Sequence, residues 1–323
     1  MLKDLWNINK VVEMQRKGKF ALKILSASIV MLLFVGFVYQ SYSSYVDSTS
    51  FDKRGEMIDV GGYSLYVEDS ETGKVTVIFD AGMGDDSSVW NKVAAEVSQF
   101  SRVITYDRAG LGWSEESPRK RDSKTIVAEL HSVLEKKDIT GPIILVGHSF
   151  GGVNMQRYAL TFPEYIAALV LVDSAHEDQI DEMPQTNSLQ KYLFKFGMWA
   201  APVGIPRLYL SNTNPEEKAK KSTTKHQYTS LDEAEYFPRS LSELNELTPN
   251  YGDMPLVVIA RNKVSSEIDN TKTRYLVWAT LQEDIATRSI NSTIIFSGAR
   301  QHSIHKMQPE IVIEAIQTLV KKL

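Results

Sequence analysis

Residues Ile144 to Gln156 read ILVGHSFGGVNMQ, an apolar run that passes directly into a serine held between glycines, with a helix-like segment behind it. Gly147-His148-Ser149-Phe150-Gly151 has the pattern G-x-S-x-G at the end of a predicted strand and the start of a predicted helix. Such a turn forces unusual backbone angles on the serine, side chains two residues to either side would collide, and the hydroxyl is thrust above the sheet. A serine hydroxyl at its ordinary pKa is a poor nucleophile. Chemistry at Ser149 therefore requires a base, an acid to orient that base, and donors for a developing oxyanion elsewhere in the chain.

Outward from the elbow, apolar runs alternate with amphipathic segments. MIDVGGYSLYVEDS alternates apolar and polar residues around Gly61-Gly62, as a β-hairpin does. VTVIFDAG, RVITYD, IILVG and ALVLVD read as strands, separated by helices over Val89 to Phe100, Ser123 to Lys137, and from Phe150. In the second of these, Ile126, Val127, Leu130, Val133 and Leu134 share one face. Strands apolar throughout, in βαβ rhythm, predict a mostly parallel sheet covered on both faces. The rhythm breaks after Asp173, and nearly eighty residues pass before PLVVIA (Pro255 to Ala260). An insert of that length is expected to be structured and functional, so residues of about 175–252 are read as a helical cap over the strand ends. A helix around Thr271 to Ser289, the strand STIIFSG and a closing helix from Gln308 complete eight strands.

Four segments in this order resemble the α/β-hydrolase superfamily, and the resemblance covers the chain after residue 55. They are GHSFG, DAGMGDDSSVW after the third strand, YDRAGLGWS after the fourth, and ARQHSIHKMQPEIV after the last. The resemblance implies a mostly parallel eight-stranded sheet flanked by helices, with a helical cap after the sixth strand and a serine hydrolase site. The third-strand loop would carry the oxyanion donor and the late loop the histidine.

If the order Ser…Asp…His holds, the base lies late in the chain. His131 sits in an amphipathic helix and His226 in the lysine-rich part of the cap, where both are expected to be solvated; His176 comes too early. His148 adjoins the nucleophile and is expected to point away. His302 and His305 remain, and HSIHKMQP places His302 at the family's histidine, with His305 as the alternative base. The acid departs from the commonest family pattern, because no aspartate stands just past Arg261-Asn262, and Glu267 and Asp269 come several residues late. Some family members carry the acid after the sixth strand, where LVLVDSAHED ends its apolar run at Asp173. A carboxylate there is costly to half-bury without a partner, and an imidazole N–H is a suitable one. Asp173 is the first choice of acid, with Asp269 and Glu267 as alternatives. By resemblance the oxyanion donors are the backbone N–H groups of Phe150 and Met83. Asp107 and Arg108 are expected to form an ion pair that steadies the loop near the elbow.

The composition, 43% hydrophobic and 24% charged, is that of a globular protein. A net charge of −4 and a pI near 5.9 argue against nucleic-acid partners. Without cysteine there is no disulfide frame, thiolate metal site or cysteine nucleophile, and this suits an exported protein. The histidines and carboxylates lack metal-ligand spacing, and the glycines of DRAGLG do not fit a dinucleotide loop, so no metal and no cofactor is expected.

Charge is unevenly spread. Residues 1–23 hold six cations against Asp4 and Glu13, a net of +4, and are read as a basic cytoplasmic leader. ILSASIVMLLFVGFVY (Ile24 to Tyr39) follows without a charge, and with the polar-aromatic edge to Val46 it is long enough to span a bilayer. Residues 24–46 are expected to be a transmembrane anchor, 47–56 a polar linker and 57–323 the hydrolase domain. The basic flank places the N-terminus in the cytoplasm and the domain outside. A signal peptide cleaved near Ser41-Tyr42-Ser43, giving a secreted protein, is the alternative.

Two function classes follow. One is a serine hydrolase acting on a small carboxylic ester or related acyl substrate, with an apolar portion suggested by Tyr192, Leu193, Phe194, Phe196 and Trp199 of the cap. Peptidase and cofactor-free haloperoxidase chemistry would use similar residues on the same fold. The other is a ligand-binding or signalling protein on a hydrolase scaffold with little turnover, which the missing acid after the seventh strand favours. Labelling of Ser149 by a fluorophosphonate separates the two.

Overall fold

The computed structural model describes residues 2–323 apart from 184–187, Asn212, 262–269 and Ala299. The chain opens with α1 (Leu2–Ser50), then a hairpin of β1 (Glu56–Asp59) and β2 (Ser64–Asp69), whose turn holds Gly61 and Gly62 at positive φ. There follow β3 (Thr76–Asp80), a 3₁₀ turn (Ser87–Trp90) leading into α2 (Asn91–Val97), β4 (Arg102–Tyr106), α3 (Ser123–Lys136), β5 (Ile143–His148), α4 (Phe150–Thr161) and β6 (Ile166–Val172). The insert after β6 contains α5 (Gln179–Glu182), α6 (Ser188–Trp199), α7 (Ile205–Tyr209), α8 (Pro215–Lys221) and α9 (Thr224–Asn245). The sheet resumes with β7 (Leu256–Ala260), α10 (Asn270–Thr287) and β8 (Ser292–Phe296), before α11 (Ile304–Met307) and α12 (Pro309–Val320).

The eight strands form one sheet in the order β1-β2-β4-β3-β5-β6-β7-β8. The pairings β1·β2 and β2·β4 are antiparallel and the other five are parallel, so the sheet is mixed. The continuous apolar runs are explained by burial on both faces. Side chains of a strand alternate between faces, and here Ile143, Leu145, Leu169, Leu171 and Val258 pack with α3, α4 and α10 through Leu130, Tyr158 and Ile285. Their neighbours Ile144, Val146, Val170, Val172 and Ile259 face Val93 of α2 and Ile316 of α12. An aliphatic side chain buried in this way contributes about 1.5–3 kcal/mol. The six strands so joined, β3 to β8, all bring their C-terminal ends to one edge, where the loops of an open α/β sheet gather.

α1 is longer than the apolar run that marks it. It continues to Ser50, four residues into the stretch read as linker. The reason is tertiary as well as local: Asp47 pairs with Arg207 of α7 at 2.7 Å, and the hydroxyls of Ser48 and Ser50 bond back to the carbonyls of Tyr45 and Val46.

Candidate active site

β5 ends at His148 and α4 begins at Phe150, which leaves Ser149 alone in the turn with φ 53° and ψ −118°. A positive φ is uncommon for a residue with a Cβ and persists only where the surroundings overdetermine it. Here the Ser149 N–H donates to Val172 O at 3.2 Å, while its carbonyl accepts from Gly152 and Ala175, each at 3.0 Å. The flanking glycines are required by close approach. A Cβ on Gly147 would lie 2.5 Å from Gly151 O, and one on Gly151 would collide with the carbonyl oxygens of Asp80 and Ala81. Ser149 itself is half-buried.

Asp173 stands one residue past β6, also at positive φ (45°), with its N–H bonded to Ile259 O of β7 at 2.7 Å. The side chain is buried and accepts three N–H groups. His302 Nδ1 lies 2.6 Å from Oδ2; Trp278 Nε1 and the Arg261 backbone N donate to Oδ1 at 2.7 and 3.1 Å. Burial pushes this carboxyl up, but the hydrogen bond from His302 and the Arg261 charge outweigh it and hold it below the ordinary value. The His302 side chain is 38% exposed, and Trp278 meets its ring edge-on at 5.9 Å. The structure thus brings Asp173 and His302 together over 129 residues of sequence. The alternative acids Asp269 and Glu267 lie outside the described residues.

His305, the alternative base, is buried between the rings of Trp90 and His148, each 4.4 Å away, and neither of its ring nitrogens has a hydrogen-bond partner among the described residues. Burial lowers its pKa to about 3, so it packs as a neutral ring. His148 points beneath the late loop, where its Nε2 donates to His302 O at 3.1 Å and its ring lies 4.6 Å from that of His302. It supports the backbone of His302. Its pKa is well below the usual value because it is buried beside two other imidazoles.

Met83 and Gly84 form the corner of a turn closed by Asp85 N–H to Gly82 O at 3.0 Å, with Gly84 at φ +66° as a type II turn demands. Phe150 is the first residue of α4, so its N–H has no acceptor within the helix. The Met83 side chain packs against the cluster that holds Phe150 and Leu241 of α9, and the Phe237 ring of α9 meets that of Phe150 at 5.5 Å, so the cap covers this side of the elbow.

The turn is held by Arg108, which the sequence paired with Asp107, and by Glu233, which nothing in the sequence marked. Arg108 is fully buried and does not pair with Asp107. Its guanidinium meets Asp80 at 2.6 Å and Glu233 of α9 at 2.7 Å, and donates to the carbonyls of Ala81 and Gly82 at 2.7 Å each. Glu233 also accepts from Gly84 N at 2.8 Å. Asp107 instead accepts the backbone N–H groups of Ser87 and Trp113, both at 2.8 Å. His226, expected to be solvated, is buried: Gly112 N donates to its Nδ1 at 3.1 Å, and its Nε2 donates to Gly84 O at 2.9 Å. Burial holds its pKa at about 4. His131 is likewise mostly covered, stacked on Phe162 at 3.7 Å and bonded to the Tyr158 hydroxyl. The only sequence signal for the clamp was a pair of charges, Asp80 and Arg108, in apolar surroundings; nothing marked Glu233. His176 pairs with Asp284 at 2.9 Å, away from Asp173.

One expectation about the cap changes. Tyr192, Leu193, Phe196 and Trp199 of α6 are each more than 60% exposed, so these four do not line a buried pocket for the apolar portion of a substrate; the Phe194 side chain lies outside the described residues. α6 buries Met198 and turns these four outward. Among the described residues no group of three or more His, Asp or Glu side chains is arranged to hold a metal ion.

Comparison with known proteins agrees with this architecture. The family model for the alpha/beta hydrolase fold matches residues 75–201, which contain the turn at Met83, the elbow and Asp173. An uncharacterized protein, YqjL of Bacillus subtilis, is 30% identical over 242 residues, covering 75% of this chain and 82% of its own length. Among solved structures, a thermophilic esterase from Thermogutta terrifontis has a TM-score of 0.57 at 22% identity, covering 83% of this chain and 97% of that one. A bromoperoxidase from Bacillus anthracis has a TM-score of 0.61 at 19% identity, covering 83% and 99%. Both structural likenesses speak to the fold, and with the family model and the likeness to YqjL over most of both chains, the chain belongs to the α/β-hydrolase family.

Proposed function

We propose that this hydrolase-family chain cleaves a carboxylic ester, or a related acyl substrate, through an acyl-enzyme on Ser149. The observation that carries the reading is the 2.6 Å contact between Asp173 Oδ2 and His302 Nδ1 at the strand edge where Ser149 sits in its constrained turn. A carboxylate on Nδ1 keeps the proton there and leaves the Nε2 lone pair free to act as base. His302 then takes the Ser149 proton as the hydroxyl attacks the acyl carbon, and Asp173 stabilises the imidazolium that forms. The oxygen of the tetrahedral intermediate receives the N–H groups of Phe150 and Met83. His302 next gives its proton to the leaving alkoxide. A water deprotonated by the same histidine hydrolyses the acyl group and returns Ser149.

In this proposal α1 is an uncleaved anchor. Its charge-free run follows a basic leader, it is long and apolar enough to cross a membrane, and none of its apolar window is buried in the protein. The positive flank places the N-terminus in the cytoplasm and the catalytic domain on the other side.

The test is labelling by a fluorophosphonate, followed by hydrolysis of p-nitrophenyl esters of graded chain length. Wild type is expected to label and turn over, and Ser149→Ala to do neither. Folded wild type that fails to label would sink the acyl-enzyme reading in favour of a binding protein on this scaffold. Halide-dependent oxidation with no ester turnover would point to the chemistry named for the Bacillus anthracis neighbour.

A further inference from the structure

The outward face of α6 is unusual for a protein surface. Tyr192, Leu193, Phe196 and Trp199 follow a helical spacing of one, three and three residues, which gathers them on one side. They are 73%, 62%, 63% and 67% exposed, and Leu208 and Tyr209 of α7 add 68% and 52%. Exposed apolar side chains grouped like this mark an interaction surface.

What covers them follows from how α1 meets the cap. Gly36, Gln40, Ser44 and Asp47 lie along one face of α1, Gly36 against Val203 of the segment that joins α6 to α7 and the other three against Arg207 of α7. A Cβ on Gly36 would lie 2.7 Å from Val203 O, so the two backbones touch. Gln40 is buried, accepting from Arg207 Nε at 2.8 Å and donating to Ser222 O at 2.8 Å. Arg207 further reaches Ser44 at 3.2 Å and Asp47 at 2.7 Å. The polar atoms of this face are thus paired with the cap rather than turned outward.

The contact is placed too far along the apolar run for the cap to stand clear of a bilayer. A hydrocarbon layer of ~30 Å takes about 20 residues at ~1.5 Å each. Counted from Ile24, just past the last cation of the leader, it ends near Ser43. Gly36 then lies about 10 Å inside the outer boundary. Ending the layer before Gly36 would leave about 12 residues, or ~18 Å, which is too thin. Phe37, Val38 and Tyr39, beside the contact, remain about half exposed, as lipid-facing side chains would be.

We propose that the apolar face of α6 and α7 lies in the outer leaflet of the membrane, which makes the cap a second membrane contact beside the anchor. This rests on the reading of α1 as an uncleaved span. α6 is then an in-plane interfacial helix, with Trp199, Tyr192 and Tyr209 suited to the headgroup level and Lys195 able to extend its ammonium to water.

The chain has no cysteine, so single-cysteine variants carry a label at one position only. Full-length Leu33→Cys, Phe196→Cys, Leu208→Cys and Ile290→Cys would each be nitroxide-labelled in phosphatidylcholine–phosphatidylglycerol vesicles. Accessibility to oxygen and to a water-soluble nickel chelate is then compared. Leu33 reports the anchor, and Ile290, 90% exposed in the turn before β8, reports water. The oxygen-to-nickel ratio at Phe196 and Leu208 is expected to rise several-fold above that at Ile290, towards that at Leu33. Phe196 and Leu208 matching Ile290, with Leu33 in lipid, would overturn the cap contact and leave the anchor standing. Leu33 lost by cleavage, or as wet as Ile290, would overturn the anchor and the cap contact with it.

Discussion

Replacing Asp173 by asparagine removes one acceptor oxygen from a side chain that now serves three donors. Oδ1 holds Trp278 Nε1 and the Arg261 N–H, and Oδ2 holds His302 Nδ1. An amide has a single oxygen. If it stays with Trp278 and Arg261, its NH₂ faces His302 Nδ1, which must then accept a hydrogen bond. The imidazole is forced to carry its proton on Nε2, and no lone pair remains for Ser149. Turning the amide over would spare the histidine but set the NH₂ against two donors, at about 1–3 kcal/mol for each bond left unmade. The unproductive orientation therefore wins. Loss of the correct tautomer in a triad lowers kcat by about 10⁴-fold, or about 5 kcal/mol of transition-state stabilisation. The assay is kcat on p-nitrophenyl acetate, with urea unfolding to establish that the variant is folded. Trp278→Phe frees only one of the two donors on Oδ1 and is expected to lose less. A folded Asp173→Asn enzyme within tenfold of wild type would refute this assignment and point to an acid in 262–269.

Ser149→Ala and His302→Ala should each lower kcat by roughly 10³-fold or more, and the double variant should lose little further, because the members act as a unit; multiplicative losses would count against the triad. Glu233→Ala leaves buried Arg108 with Asp80 as its remaining carboxylate and frees Gly84 N–H, so unfolding in urea should show a loss of about 3–5 kcal/mol; a change under about 1 kcal/mol would mean the clamp is not needed. His226 has a pKa of about 4 in the folded chain against 6.5 when exposed. Above pH 6.5 both states are neutral, and as pH falls from there the unfolded chain binds a proton that the folded chain refuses. Stability therefore falls by on the order of 3 kcal/mol down to pH 4, and His226→Gln should flatten this limb of the urea stability profile; an unchanged slope would contradict the buried neutral ring.

Most of the framework was legible because it rests on short-range signals. Continuous apolar runs separated by amphipathic segments imply a sheet covered on both faces, and the strands appear within a residue or two of those runs. The glycines around Ser149 announce the elbow because the steric demand is local. A carboxylate ending an apolar strand made Asp173 the first of three candidate partners for His302, with Asp269 and Glu267 left open. The contacts that hold the turn at Met83 were not legible. Arg108 meets Glu233 over 125 residues, and Gly84 meets it over 149. Nothing in the charged sequence of α9 distinguishes a buried glutamate from its solvated neighbours. The same limit applied to His226 and to the face of α6. Apolar spacing shows that a side of a helix is apolar, and it leaves open whether that side meets the core or the outside.

By itself the sequence determined the α/β-hydrolase architecture, the glycine-flanked turn at Ser149, the late histidine loop and the apolar N-terminal run, since each depends on residues within a few positions of one another. Only the tertiary structure decided that Asp173 bonds His302, that Arg108 clamps the turn through Glu233 rather than Asp107, and that α1 packs on the cap through Gln40 and Arg207. These are pairings of buried polar groups from distant segments. Each has several chemically acceptable partners along the chain, and the packing of the elements selects the one within reach.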